Sequence, residues 1–356
     1  MQDQTSSNES EDAGGLVQLS ADRRSRNKLI ALTFLLLAAA LIALCLGRLS
    51  ITPKEVFSIL ASQIVSLEQA WTDQMATMVL DVRLPRIIAA IFVGAALSVS
   101  GACYQCIFKN PIVSPDLLGV SAGACVGAAC AILLHVNNGA IQIFAFVGGI
   151  VAVILTTLIP RLFNSRSTMT LVLAGVLVSG FMNSVLSYLK YVADAETELA
   201  EITYWTMGSI ASVRWDDLAF AVPIFLVFMA ILLSMRWRIN ILALGDAEAQ
   251  SLGMNVNRTR GIVIVCATAL TSTAVCISGS IGWIGLIVPH ACRLIVGQDN
   301  KNLLPASILV GGLFILVVDT LCRVVSVNEI PLSIFTGLIG VPLFIWLMAI
   351  QKTRLD

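Results

Sequence analysis

Charge is what this sequence has least of. Only 12% of its 356 residues are Asp, Glu, Lys or Arg, while 57% are apolar. A soluble domain carries about a quarter charged residues, so too few are present to cover a water-exposed surface of this size. An ordinary cytosolic enzyme is thereby excluded. The 22 basic and 22 acidic residues cancel, which leaves no net positive field to draw a nucleic acid. Histidine occurs only twice, and most of the nine cysteines fall inside apolar runs rather than framing a disulfide scaffold. No G-x-x-x-x-G-K-[ST] loop is present to cradle ATP, and neither H-E-x-x-H nor G-x-S-x-G occurs. An intramembrane protease or transferase would need paired acids or histidines within apolar segments, and the chain offers almost none. What remains is a polytopic membrane protein.

A helix needs roughly 20 mostly apolar residues to cross the hydrocarbon layer. Ten segments qualify: Leu29–Gly47, Ile87–Phe108, Leu117–Leu134, Ile141–Ile159, Leu171–Leu189, Leu218–Met235, Ile262–Ser280, Ile284–Val296, Leu303–Leu321 and Ser333–Ile350. The eighth is short. The Ser-, Asp- and Glu-rich stretch before them has the composition of a disordered tail, so the chain divides into a tail, 1–28, and a membrane domain, 29–356. With the N-terminus inside, the inner segments hold 15 of the 22 basic residues, among them Arg23, Arg24, Arg26, Lys28, Arg161, Arg166, Arg236, Arg238, Arg258, Arg260, Lys352 and Arg354. Seven lie outside: Arg48, Lys54, Arg83, Arg86, Lys190, Arg214 and Arg323. This bias favours ten spans with both termini inside.

Three connections are long. Arg48–Arg86 and Lys190–Asp217 lie outside and can hold surface helices; Arg236–Arg260, with the stretch Ala243–Arg260, lies inside. In the inner one, Asp246 and Glu248 open a short helical pattern that ends at Leu252-Gly253, the placement expected of helix caps. It is either a surface linker or a knob that a cytoplasmic partner pushes. Ser100-Gly101 followed by Pro111, and Ser278-Gly279 followed at the same distance by Pro289, form a weak echo of an inverted repeat.

A few residues carry chemistry. Asp319 is an acid within a span, and Arg323 four residues on shares its helix face. The pair is either an internal salt bridge or a device holding Arg323 up as a docking charge; a lone proton relay is the third reading. Arg83 and Arg86 open the second span from outside, against both the charge bias and the helix dipole. An acidic external partner or lipid phosphate would account for them. Cys103-x-x-Cys106 has redox or metal spacing but no second pair, which favours plain packing. His290 and His135 stand alone, as structural histidines do.

Taken together and in order, Arg83-Leu-Pro-Arg86, Gly94-Ala-Ala-Leu97, Ser100-Gly101-Ala102, Asn110-Pro111, Leu118-Gly-Val-Ser-Ala-Gly-Ala124, Leu173-Ala-Gly-Val176, Trp205-x-Met-Gly-Ser209, Gly282-Trp-Ile-Gly-Leu-Ile-Val-Pro-His290 with Arg293, Asp319 with Arg323, and Gly340-x-Pro-x-Phe344 resemble the FecCD-type permeases of ABC importers for iron chelates, haem and cobalamin. The resemblance implies an all-α, ten-span subunit in the inner membrane that pairs with a second copy of itself. Two separate ATPase subunits would hold ATP and Mg, with no cofactor in this chain, and a substrate-binding protein would dock outside. Carried over by position, Arg83, Arg86 and Arg323 would meet that protein. Asn110, Ile112, Thr168 and Met169 would gate the path. Asp246, Glu248, Gln250, Leu252, Gly253 and Met254 would couple to the ATPase, and the stretch Glu196–Ser212 would guard the entrance. A ferric siderophore is the first expected cargo, with haem or cobalamin as alternatives; an ion-coupled secondary transporter is the rival. Cys103 and Cys106, and Met169 at a gate, depart from the family pattern.

Overall fold

Inside a lipid bilayer every backbone N–H and C=O must find a partner within the protein, and a chain without alternating strand patterns meets that demand only as helix. The computed structural model describes residues 2–47, 49–66, 68–69, 71–164, 167–325 and 329–352. Arg48, Arg166 and Arg354 of the charge count lie outside the described residues. The described chain forms ten bundle helices: α1 (Gln2–Cys45), α2 (Asp73–Phe108), α3 (Val120–Leu133), α4 (Asn138–Leu162), α5 (Thr168–Val192), α6 (Trp215–Ser234), α7 (Val256–Ser278), α8 (Ile284–Val296), α9 (Asn300–Val325) and α10 (Leu332–Lys352). Each overlaps one expected span.

Three boundaries differ from expectation. The helix α1 runs back to Gln2, through the stretch whose composition suggests disorder; elongating a helix that already exists adds one bond per residue and needs no new nucleus. Its span proper is Arg23–Cys45. The second span begins earlier, because a π-helical turn, Met78–Arg83, joins the turn Asp73–Thr77 to Leu84–Phe108. The third helix is short as well as the eighth. With 14 and 13 residues, α3 and α8 reach only about 20 Å at 1.5 Å per residue, less than the roughly 30 Å hydrocarbon layer.

Below, inner and outer follow the charge bias. Surface helices fill the long connections: Pro53–Ser62 and Glu198–Met207 outside, Arg236–Leu244 and Asp246–Ser251 inside. Glu55 closes a capping box with Thr52, and the bond from the Thr52 amide, then that from its hydroxyl, holds the carboxyl below the usual carboxylate range.

The core is built on α2 and α7, whose most apolar windows are 83% buried, against 17% for α1 and α10. Their neighbours exchange between the two halves of the chain: α2 packs on α8 and α9, while α7 packs on α3 and α4. In each half the order is long helix, short helix, then two long ones. The two halves thus repeat one order of helices.

Small residues set the helix spacing. A Cβ at Gly94 would run into the Gly311 carbonyl, one at Gly101 into the Gly285 carbonyl, and one at Gly127 into the Phe144 carbonyl. Backbones therefore touch, as lipid-embedded helices favour. Gly261, also helical, has nothing within 4 Å of its would-be Cβ. Gly101→Val should destabilise the folded protein by about 1–3 kcal/mol, as overpacking does, whereas Gly261→Ala should be neutral or mildly stabilising. Thermal unfolding in detergent checks the ordering, and equal melting temperatures would contradict the packing described.

Candidate functional site

At the outer end, three arginines converge from two helices. Arg83 and Arg86 flank the point where α2's π-helical turn passes into its α-helical part at Leu84, Arg323 stands on the last turn of α9, and they are 2%, 4% and 8% exposed. They are not free surface charges, as the docking reading expected. Arg86 forks onto Asp319, with Nε 3.0 Å from each carboxylate oxygen and Nη2 2.9 Å from Oδ1, and its Nη1 reaches Glu329 at 2.8 Å. The expected pair between Asp319 and Arg323 is thus replaced. A helix-face neighbour at i+4 offers one contact, whereas a guanidinium from the facing helix offers a planar two-point fork.

Three guanidiniums against two carboxylates leave one positive charge over. It faces the negative end of α1. Arg323 donates to the Ala43 carbonyl at 2.7 Å, and Arg83 donates to the carbonyls of Leu44, Cys45 and Leu49. Those of Ala43, Leu44 and Cys45 are carbonyls that a helix C-terminus leaves without intrahelical partners, and cations are favoured beside them. Charges that look misplaced at the start of α2 therefore cap the antiparallel neighbour.

At the inner end, the connection after α6 folds as a separate unit. Ile241, Leu242, Ala249 and Val256 form a small core of their own, with Met254 packed against it. The helix Asp246–Ser251 ends at Gly253, whose φ of +77° suits glycine. Asp246 pairs with Arg260 of α7 at 2.7 Å, which braces the unit against the bundle. Glu248, Gln250 and Leu252 point outward. Ala243–Arg260 is thus a compact unit and not an extended stretch.

The residues carried over as gates sit on two turns. Asn110 follows Lys109, which ends α2 in the left-handed region, and its Oδ1 accepts the Ile112 N–H at 3.0 Å. Ser167 caps α5 by accepting the Met169 N–H at 3.2 Å. Ile112 and Met169 are 61% and 74% exposed. Thr168 borders a cleft of about 350 Å³ together with Arg260, Asn257 and Pro160, so the α5 turn and the brace of the knob share one opening. Asn110 and Ile112 do not line it. From Met169 an apolar stripe continues along α5 through Leu173, Val176, Leu177, Phe181 and Tyr188, all exposed.

The outer helix Glu198–Met207 is stitched down by backbone. Ser209 N–H donates to the Ser278 carbonyl at 2.8 Å and Leu332 N–H to the Gly208 carbonyl at 2.9 Å; a Cβ on Gly208 would press on the Ser280 carbonyl. This explains Trp205-x-Met-Gly-Ser209. Its approach turn is closed by Asp194, whose carboxyl the Thr197 hydroxyl, then the amides of Thr197 and Glu196, hold below the usual range. His135 meets Glu198 at 3.2 Å, and buried His290 packs edge-on against Phe344. All nine cysteines are free, and no group of metal-ligating side chains occurs among the described residues.

Sequence reasoning missed two acids and two amides. Glu329 completes the outer cluster. Asp116, half-buried in the turn before α3, accepts from the Ser121 hydroxyl and places negative charge at that short helix's N-terminus; Pro-Asp ahead of Leu-Leu-Gly was its only signal. Asn240 and Asn300, ordinary in sequence, meet at the base of the knob.

Residues 35–349 match the profile described as the FecCD transport family. The molybdate import system permease protein MolB of Haemophilus influenzae is 40% identical over 316 residues, covering 89% of this chain and 93% of that protein. The cobalamin import system permease protein BtuC of Halobacterium salinarum is 40% identical over 274 residues, 77% of this chain and 73% of that protein. The Fe(3+) dicitrate transport system permease protein FecD of Escherichia coli is 37% identical over 274 residues, 76% of this chain and 85% of that protein. A solved structure described as an inward-facing conformation of a metal-chelate type ABC transporter superposes with a TM-score of 0.80 at 38% identity, covering 90% of this chain and 98% of that one.

Removing one partner of a buried ion pair costs about 3–5 kcal/mol, while replacing both by apolar groups is often nearly neutral. Asp319→Ala should therefore lower the melting temperature in detergent far more than Arg86→Met combined with Asp319→Leu. The reverse order would show that the pair is not buried as described.

Proposed function

The chain belongs to the FecCD transport family and is a multi-pass ABC importer permease, and from that premise we propose how it works and what it carries. The observation that carries the coupling reading is the inner knob. It has a core separate from that of the bundle, is braced by the Asp246–Arg260 pair, and presents Glu248, Gln250 and an exposed Leu252 to whatever lies below. Two ATPase subunits would receive it in their clefts and supply ATP and Mg. Their closure can shift the permease between states only through differential contact with those states, and the knob is the part built to make such contact. A second copy of this chain would cover the apolar stripe on α5 and complete the path between subunits, with Asn110, Ile112, Thr168 and Met169 at its inner mouth. The binding protein would meet an outer face that the arginine cluster holds rigid, not three free charges. Both termini would lie in the cytoplasm and the subunit in the inner membrane.

The relatives are named for molybdate, cobalamin and ferric dicitrate, which share a metal centre enclosed in a ligand shell. A ferric siderophore is the first cargo proposed. Molybdate is the second reading, favoured by 40% identity across 89% of the chain.

Intact cells with and without the gene should be offered labelled ferric siderophore, haem, cobalamin and molybdate, before and after ATP depletion. Loss of one cargo, dependent on both gene and ATP, names the substrate. Uptake that survives ATP depletion but collapses with the proton gradient would overturn the importer reading. Leu252→Asp should reduce ATP-dependent uptake about tenfold or more, the loss expected of an interface anchor, with membrane insertion unchanged.

A further inference from the structure

The knob and the bundle have separate cores, so a movement of one reaches the other only where they are fastened. The helix Arg236–Leu244 lies across that boundary. Its Ile239 is in the main core, and Ile241 and Leu242 are in the knob's. Between them stands Asn240. Its Oδ1 accepts two bonds from Asn300, the backbone N–H at 2.8 Å and Nδ2 at 2.7 Å, and its own Nδ2 donates to Asp299 Oδ1 at 2.6 Å. The orientation of this amide is fixed by chemistry: a backbone N–H can only donate and a carboxylate can only accept. Asn240 therefore grips the N-terminus of α9 from another helix. Asn300 is 1% exposed, and Cys106 Sγ, one turn before the end of α2, lies 3.5 Å from its amide.

Above this point α2 and α9 are one body. The Cys106–Asn300 contact joins them at the inner end. Midway, Gly94 meets Gly311 backbone to backbone, and Arg86 forks onto Asp319 at the outer end. Resting on the importer reading above, we propose that Asn240 is the positioning residue through which displacement of the knob is passed to the α2–α9 pair. It thereby reaches both the Lys109–Val113 turn that carries Asn110 and Ile112 and the outer arginine cluster.

The test uses the complete importer, this chain with its ATPase subunits and binding protein, reconstituted in liposomes. ATP hydrolysis and uptake are measured together for ferric siderophore, haem, cobalamin and molybdate. Asn240→Asp keeps the bonds accepted from Asn300 but sets two carboxylates against each other at Asp299. It should lower uptake per ATP about tenfold, the equivalent of one to two hydrogen bonds, with complex yield and basal hydrolysis within about twofold of wild type. Combining N240D with D299N restores a donor opposite an acceptor and should restore coupling. Unchanged uptake per ATP in N240D would overturn the proposal. So would a proportional fall in uptake and hydrolysis, or a double variant no better than the single one. A wild-type complex whose hydrolysis drives uptake of none of the probes would overturn the importer reading, and this proposal with it.

Discussion

The architecture depends on the union of α2 and α9, and one buried ion pair decides which polar groups meet at its outer end. An Arg and an Asp removed from water are each expensive, and only a close, fully bonded geometry offsets the loss of hydration. Arg86 and Asp319 achieve this with a two-point fork plus Glu329. Once they are committed, the remaining guanidiniums of Arg83 and Arg323 turn to the open carbonyls of α1. The cluster thus joins three helices at the outer end.

Between its charged end and its amide end, the pair is held by contact alone. Lipid tails are as apolar as leucine, so burying aliphatic side chains between helices gains little there; close backbone packing gains more. The Gly94–Gly311 approach provides it, and the Gly101–Gly285 approach does the same between α2 and α8. The same glycine at 285 also admits Pro115 from the turn before α3, so one small residue lets a long helix, a short helix and a re-entering turn share a single place.

The inner end is organised on the opposite principle. The knob has a core of only four buried apolar residues, and polar contacts fasten it: Asp246 with Arg260 and Asn240 with Asn300. A unit with a small core and specific polar attachments can shift with little repacking of the bundle, which suits the coupling role proposed for it.

Much of this was legible in the chain before its folding. The scarcity of charge dictated a membrane protein, the apolar runs located the helices but not where α1 and α2 begin, and Asp246, Glu248 and Gly253 marked the knob's helix and its end, because these features are local. Partnership was not legible. The i+4 spacing put Arg323 beside Asp319, yet Arg86, 233 positions away, took the carboxylate; Arg83 and Arg323 looked like surface charges until α1's carbonyls were seen beside them. Asn240 and Asn300 carried no signal at all. A side chain's partner in a bilayer is whichever polar group the bundle brings within hydrogen-bond reach, and helix packing, not spacing along the chain, decides which group that is.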